Sequence, residues 1–247
     1  MPDPHYRTLP HAGPVAARVA AQDWPQHLRM LDRDGHAVLP ALLAADECAA
    51  LAAAYAQPAL YRSKVVMARH GFGRGEYQYF ARPLPDFVAA LRETLYPRLL
   101  PLAHRWNQAL RIDVRYPDEH AAFIRRCHEA GQVRPTPLLL EYGPGDYNCL
   151  HQDLYGEHVF PLQVAILLSE PGRDFDGGEF MLTEQRAGHA PRADVVPLRQ
   201  GDAVAFAVHQ RPVRGQRGTA RAAMRHGVST LLRGRRHVLG IVFHDAR

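Results

Sequence analysis

The chain has few cysteines, almost no lysine and no long apolar run, and each shortage excludes a class of protein. Cys48, Cys127 and Cys149 are unevenly spaced and form no Cys-x-x-Cys, so neither a disulfide framework nor a cysteine-held zinc is expected. No stretch approaches the roughly eighteen apolar residues of a membrane span. The opening Met-Pro-Asp-Pro-His has neither the basic nor the apolar region of a signal peptide, and a reducing cytoplasm is the expected location. Lys64 is the only lysine among 30 basic residues. With a net charge of +5 and a pI near 9.3, this arginine excess suits a phosphate-bearing partner, DNA or RNA. The same usage also follows from a GC-rich genome.

What is present divides into two patterns. Residues 1–14 read as a loose arm. Helical spacing follows over Val15–Leu31, broken before Pro25, then a short strand over 36–40 and a helix over Ala44–Tyr55. Residues 61–68 read as a strand. Leu84–Leu110 reads as two helices bent at Pro97 and Pro101, with Trp106 in the core, and 117–131 as a further helix whose His120 and His128 face solvent. From Pro137 the pattern changes to short strands with turn signals, as in a sandwich or barrel. Gln185–Arg192 and the arginine-rich stretch 211–218 read as projecting loops. The expectation is an α+β protein, with residues 1–135 a helical layer integral to the fold and residues 136–247 the strand-rich core.

The chemistry centres on Leu140-Glu-Tyr-Gly-Pro-Gly-Asp-Tyr-Asn-Cys-Leu-His-Gln-Asp153. In an extended segment His151 and Asp153 share one face. An imidazole and a carboxylate presented together are two thirds of a 2-His-1-carboxylate set, which holds non-haem Fe(II) and leaves positions open. His226, in a later strand, is the candidate third ligand. Ten residues further on, Arg236 offers a guanidinium fork for a dicarboxylate. His209, His237 and His244-Asp245 make a competing cluster, and Cys149 reads as a small buried side chain.

With these residues in place, the chain resembles the 2-oxoglutarate/Fe(II)-dependent dioxygenases over residues 136–245. The resemblance rests on His151-x-Asp153, His226, Arg236, Asp176-Gly-Gly-Glu-Phe180 and Gly201-Asp-Ala-Val-Ala-Phe206. It is closest to a bacterial subfamily predicted to act on nucleic acids, and Tyr142-Gly-Pro-Gly with Leu150-His-Gln-Asp153 is similar to the metal-binding stretch of AlkB-type enzymes. Leu140 stands where those enzymes carry Asn, and their Arg-x-Asn-x-Thr-x-Arg close is missing after Arg236. The resemblance implies a double-stranded β-helix, or jelly-roll, barrel backed by the N-terminal helices. It implies Fe(II) on His151, Asp153 and His226, with O₂ and 2-oxoglutarate as cosubstrates. Arg236 would bind the distal carboxylate, Tyr142 would hydrogen-bond 2-oxoglutarate, and Gln163, a lone polar residue in an apolar strand, would line its pocket.

Three functional readings follow. The first is oxidation of a nucleic-acid base, by demethylation or hydroxylation, with release of succinate and CO₂. The second is a protein hydroxylase of the prolyl type, and the third a cupin-like binding module without turnover. For the first, the glycine-rich segment Arg69–Phe80 reads as a mobile substrate lid. Arg69 and Arg74 would meet phosphates, and Tyr77, Tyr79 and Phe80 would offer stacking faces. Its other reading is a hairpin whose aromatics cap the core.

Overall fold

The computed structural model describes residues 9–215 and 218–247. In chain order the elements are α1 (Ala12–Ala21), α2 (Trp24–Asp34), β1 (His36–Leu39), α3 (Ala45–Ala54), β2 (Tyr61–Val66), β3 (Gly73–Arg74), β4 (Glu76–Phe80), α4 (Asp86–Leu110) and α5 (His120–Glu129). There follow β5 (Leu138–Tyr142), β6 (Tyr147–His151), β7 (Leu162–Leu167), β8 (Phe175–Gly177), β9 (Phe180–Arg186), β10 (Arg192–Val196), β11 (Ala203–Ala207), β12 (Gln210–Gly215), β13 (Gly218–Val228), β14 (Leu231–Gly234) and β15 (Arg236–Ile241).

Two antiparallel sheets carry the site. The larger runs β1-β11-β7-β15-β5-β4-β2 and the smaller β10-β9-β13-β6-β3, with β12 paired to β13. The expected jelly roll is therefore a pair of open sheets rather than a closed barrel, because β1 and β2, β10 and β3 end their sheets unpaired to one another. Strands β1, β2 and β4 come from before residue 136, so the larger sheet draws on both parts of the chain.

The larger sheet is covered on both faces, which is why its strands read as nearly continuous apolar runs. In β7, Leu162, Val164 and Ile166 join the cluster packed with the helices, while Ala165 and Leu167 join the cluster between the sheets. In β11 the alanines at 203, 205 and 207 pack with the helices, and Val204 and Phe206 face the second sheet. This two-residue alternation puts Gln163 and Arg236 between the sheets, where the cavity lies.

Several expectations in the N-terminal half are corrected. One stands: the break expected before Pro25 is there, α1 ending at Ala21 and Pro25 lying in the first turn of α2, which Asp23 caps by accepting from the Gln26 N–H. Residues 1–8 of the expected arm lie outside the described residues, and α1 already begins at Ala12. The two helices expected over 84–110 are one, α4, despite Pro97 and Pro101. Both prolines sit on its solvent side, where water can satisfy the carbonyls they leave free. His120 is buried, its Nε2 2.9 Å from the Phe243 carbonyl and its ring against Tyr96. His128 is partly buried and pairs with Asp245, which also holds the buried Arg92. These histidines clamp the C-terminal segment instead of facing solvent.

Within the stretch 185–192 only 187–191 is a turn, joining the β9–β10 hairpin, and 211–215 is strand, not loop. Arg211 is buried, its Nε 2.9 Å from Glu184 Oε2 and its Nη atoms on the Asp32 and Arg33 carbonyls. Residues 216–217 of the expected arginine-rich loop lie outside the described residues.

Candidate metal centre and cosubstrate pocket

Strands β6 and β13 pair so that His151 stands directly opposite His226. Their ring centroids are 4.1 Å apart. Asp153, two residues past the end of β6, reaches between them: Oδ1 is 3.6 Å from His151 Nε2 and Oδ2 is 3.4 Å from His226 Nε2. The Gln152 side chain fastens this short segment by donating to the Met224 carbonyl of β13 (2.7 Å). One ligand atom from each of His151, Asp153 and His226 lies within 4.8 Å of the others, the one such group among the described residues. The competing histidines are engaged elsewhere. His237 contacts Glu141 at 3.0 Å, and His244 Nδ1 lies 3.3 Å from the Phe160 N–H.

An irregularity in β6 aims these side chains. Three residues of β13, from His226 to Val228, oppose four of β6, from His151 back to Asn148. The bulge allows Asn148 and His151 both to line the cavity, although three residues apart in a strand they would otherwise face opposite ways. The two residues between Asn148 and His151 are turned out. Cys149, expected to be buried, is exposed, and so is Leu150.

The protonation states suit a divalent cation. His151 Nδ1 lies 2.8 Å from the Cys149 carbonyl, a bond the ring makes only as donor, so Nε2 keeps its lone pair toward Asp153. Burial, with His226 adding to it, pushes the His151 imidazole down and keeps it neutral. Burial would raise the Asp153 carboxyl, but hydrogen bonds from His226 and Tyr155 and the fields of both histidines hold it well below its ordinary range. Imidazole nitrogens from two histidines and a carboxylate oxygen are the donor set that Fe(II) takes.

A cavity of about 190 Å³ opens from these ligands between the sheets. Arg236, Tyr142, Gln163 and Tyr77 all line it. Arg236 is 2% exposed, and its Nε and Nη1 have no partner among the described residues. Burial lowers its pKa to about 10, which leaves it a cation at neutral pH. An unpaired buried guanidinium is costly, and a carboxylate in the cavity would offset that cost with a charge-assisted pair. Tyr142 faces it across the β15–β5 pair, with the guanidinium carbon 5.5 Å from the ring centroid. Burial pushes the Tyr142 hydroxyl up to about 12, so it can donate as a neutral phenol. Gln163 Oε1 is likewise buried without a partner, and Leu167, on the same face of β7, lines the adjoining cavity behind Arg236. The neighbouring Arg235 points out and pairs with Glu141.

Asp176-Gly-Gly-Glu-Phe180 acquires a physical meaning here. Gly178 has φ +64, and a Cβ on it would lie 2.7 Å from Leu231 Cδ1 and 3.0 Å from Arg236 Cδ. The turn is bare so that the arginine can extend past it.

The lid segment is less loose than expected. Only 70–72 and 75 fall outside elements: Met67–Arg69 is a 3-10 turn, and Tyr77, Tyr79 and Phe80 are in β4. The segment is pinned, because Phe72 donates to the Met67 carbonyl (3.2 Å) and accepts from the Cys149 N–H (2.9 Å). Phe80 is fully buried against Tyr61 and has no free stacking face. Tyr79 packs under the Arg62 guanidinium, 4.4 Å from its ring centroid. Arg69 and Arg74 are exposed and do not line the cavity.

Tyr155 was not singled out by any motif, yet its hydroxyl donates to Asp153 Oδ1. Tyr77 and Tyr79 meet edge to face nearby, with 5.3 Å between ring centroids. Tyr155 spends its single hydroxyl proton on Asp153. The one available signal was its position two residues after Asp153.

Residues 75–246 match the family Oxygenase-NA, described as an oxygenase catalysing oxidative methylation of damaged DNA. Two uncharacterized proteins of Mycobacterium tuberculosis, MT2286 and Rv2227, are each 47% identical over 167 residues, 68% of this chain and 72% of theirs. Among solved structures, a Pseudomonas putida prolyl-4-hydroxylase is similar at a TM-score of 0.53 and 18% identity, covering 91% of this chain and 99% of its own. A 2OG-Fe(II) oxygenase family oxidoreductase from Burkholderia pseudomallei has a TM-score of 0.52 and 17% identity, over 92% and 93%. A Trichoplax adhaerens prolyl hydroxylase, in complex with a hypoxia inducible factor peptide fragment, has a TM-score of 0.54 and 12% identity, over 95% and 94%. At such identities these structures speak to the fold.

Proposed function

The chain belongs to the Oxygenase-NA family, within the 2-oxoglutarate/Fe(II)-dependent oxygenases, and we propose that it oxidises a base of DNA or RNA, by demethylation or hydroxylation. The observation that carries this is the family match together with a ligand set and an unpaired Arg236 in one cavity. His151, Asp153 and His226 would hold the Fe(II), and Arg236, Tyr142 and Gln163 would hold 2-oxoglutarate. When bound, the metal supplies O₂ activation coupled to conversion of 2-oxoglutarate into succinate and CO₂.

The chain's own residues bind and orient. Arg236 neutralises a carboxylate at the closed end of the cavity, where low polarity strengthens the pair. Tyr142 and the Gln163 amide offer further hydrogen bonds. The apolar walls Phe180, Phe206, Val228 and Val238 keep water from the reacting atoms. At the mouth, Tyr77 lines the wall, Tyr79 supports it, and Arg69 and Arg74 offer positive charge to a backbone. Three free thiols support a reducing cytoplasm as the place of work.

A protein hydroxylase is the second reading, favoured by the prolyl hydroxylases among structures of similar fold. Nucleoside analysis decides between them. Methylated single-stranded DNA or RNA incubated with the enzyme, Fe(II) and 2-oxoglutarate should lose methylated nucleoside only when all components are present. Unaltered nucleosides alongside a hydroxylated proline-containing peptide would support the second reading.

A further inference from the structure

We propose that Phe72, with His70 stacked behind it, is the platform on which an unpaired base of a single-stranded nucleic acid lies beside the metal centre. This rests on the nucleic-acid reading above and names a residue for it. Phe72 lines the cavity that holds His151, Asp153 and His226, yet it is 48% exposed. The other aromatic residues of that wall are buried or half-buried. A half-exposed phenylalanine at a cavity mouth keeps apolar surface in water that a ligand ring can cover. The His70 ring lies 5.4 Å away at 23°, close to parallel, so one side of Phe72 is already stacked.

The platform is pre-formed. The two backbone hydrogen bonds of Phe72 tie it to Met67 and to Cys149, two residues before His151. Gly73 pairs with Asn148, and a Cβ there would come within 2.3 Å of the Tyr147 carbonyl, so only glycine lets β3 lie this close to β6. The platform is therefore fastened to β6, the strand that carries His151, and little ordering is left for the ligand to drive.

Charge selects the ligand class. Arg69 and Arg74 flank Phe72, are exposed, and have no acidic partner among the described residues. Arg173, by contrast, is exposed and neutralised by the adjacent Asp174. An aromatic face between two free guanidinium groups fits a base with phosphates on either side better than a peptide.

The test is fluorescence anisotropy of the full chain, loaded with Mn(II) and 2-oxoglutarate, against a labelled single-stranded oligothymidine at several salt concentrations. Base stacking predicts that Phe72→Ala weakens binding by about 5-fold to 150-fold. Phe72→Trp should retain it, which separates stacking from a folding defect. Arg69→Gln with Arg74→Gln should reduce the slope of log affinity on log salt by about 1.4, two contacts at about 0.7 each on single strands, and Arg173→Gln should not. If wild type binds and oxidises oligonucleotides while Phe72→Ala binds equally well, the platform is overturned and the nucleic-acid reading stands. Loss of proline-rich peptide binding in Phe72→Ala, with oligonucleotide affinity unchanged, also overturns it. If wild type binds no oligonucleotide and alters none, the platform falls together with the reading beneath it.

Discussion

His226 stands directly across the sheet from His151, with 4.1 Å between the ring centroids and the Asp153 carboxylate spanning their Nε2 atoms. Replacing one ligand of three should therefore remove tight Fe(II) binding rather than weaken it slightly. After anaerobic loading and desalting, wild type is expected to hold one equivalent and His151→Ala, Asp153→Ala and His226→Ala little. Equal iron in wild type and any one variant would take that residue out of the centre.

Arg236 and Arg235 are adjacent and opposite in effect. Arg236→Ala removes the buried, unpartnered guanidinium and should weaken 2-oxoglutarate binding by roughly 100-fold, about 3 kcal/mol for charge-assisted hydrogen bonds. Arg235→Ala loses only an exposed pair with Glu141 and should leave affinity nearly unchanged. Calorimetric titration of 2-oxoglutarate into the Mn(II)-loaded proteins reads both, and the reverse order would contradict the register of β15.

Gly178 should report on Arg236 without touching its charge. Gly178→Ala adds a Cβ 3.0 Å from Arg236 Cδ, whereas Gly172 has a similarly positive φ of +81 with nothing within 4 Å of its Cβ position. Both alanines should cost about 1–2 kcal/mol of stability for the left-handed backbone. Only Gly178→Ala should also raise the dissociation constant for 2-oxoglutarate, and equal binding by the two variants would refute the contact.

Tyr155 holds one oxygen of Asp153 so that the other faces His226. Tyr155→Phe keeps the ring and deletes that bond, and Fe(II) affinity should fall about 10-fold to 100-fold, as for other groups that orient a ligand. Unchanged affinity in an equilibrium Fe(II) titration would leave the hydroxyl without a role at the metal.

Acid should unfold the chain early. Burial pushes His120 down to about 3 and His244 down to about 4, so both are neutral when folded. Unfolded, they protonate near 6.5. Between those values the unfolded chain binds more protons, and stability falls as pH falls from about 6.5 toward 3. Asp245 adds to the loss at the acid end, since Arg92 and His128 hold its carboxyl low against the effect of burial. Urea midpoints should decline steadily from neutral pH to about 4.5, and His120→Gln, which can still donate to the Phe243 carbonyl, should flatten the decline. A flat wild-type profile would contradict it.

The ligand spacing was legible in the sequence because His-x-Asp and a distant histidine are local signals, and the alternation of β7 and β11 shows which side chains meet between the sheets. What escaped depends on contacts between distant segments. Tyr155 is the exception, two residues from Asp153, where no motif tells that its hydroxyl reaches the carboxylate. His120 looks like a surface histidine until Phe243 and Tyr96 close over it. Pro97 and Pro101 signal breaks, yet α4 tolerates them because both face water. In the lid segment Gly73 and Gly75 permit a close approach to β6 and Tyr142, which the local sequence does not announce.

Substrate-dependent succinate release tests the central claim most directly. Wild-type enzyme with Fe(II), O₂ and 2-oxoglutarate should release succinate faster with methylated single-stranded oligonucleotides than with unmethylated ones, proline-rich peptides or no substrate. Arg236→Ala should abolish the increment. Release stimulated by the peptides and indifferent to every oligonucleotide would contradict the account.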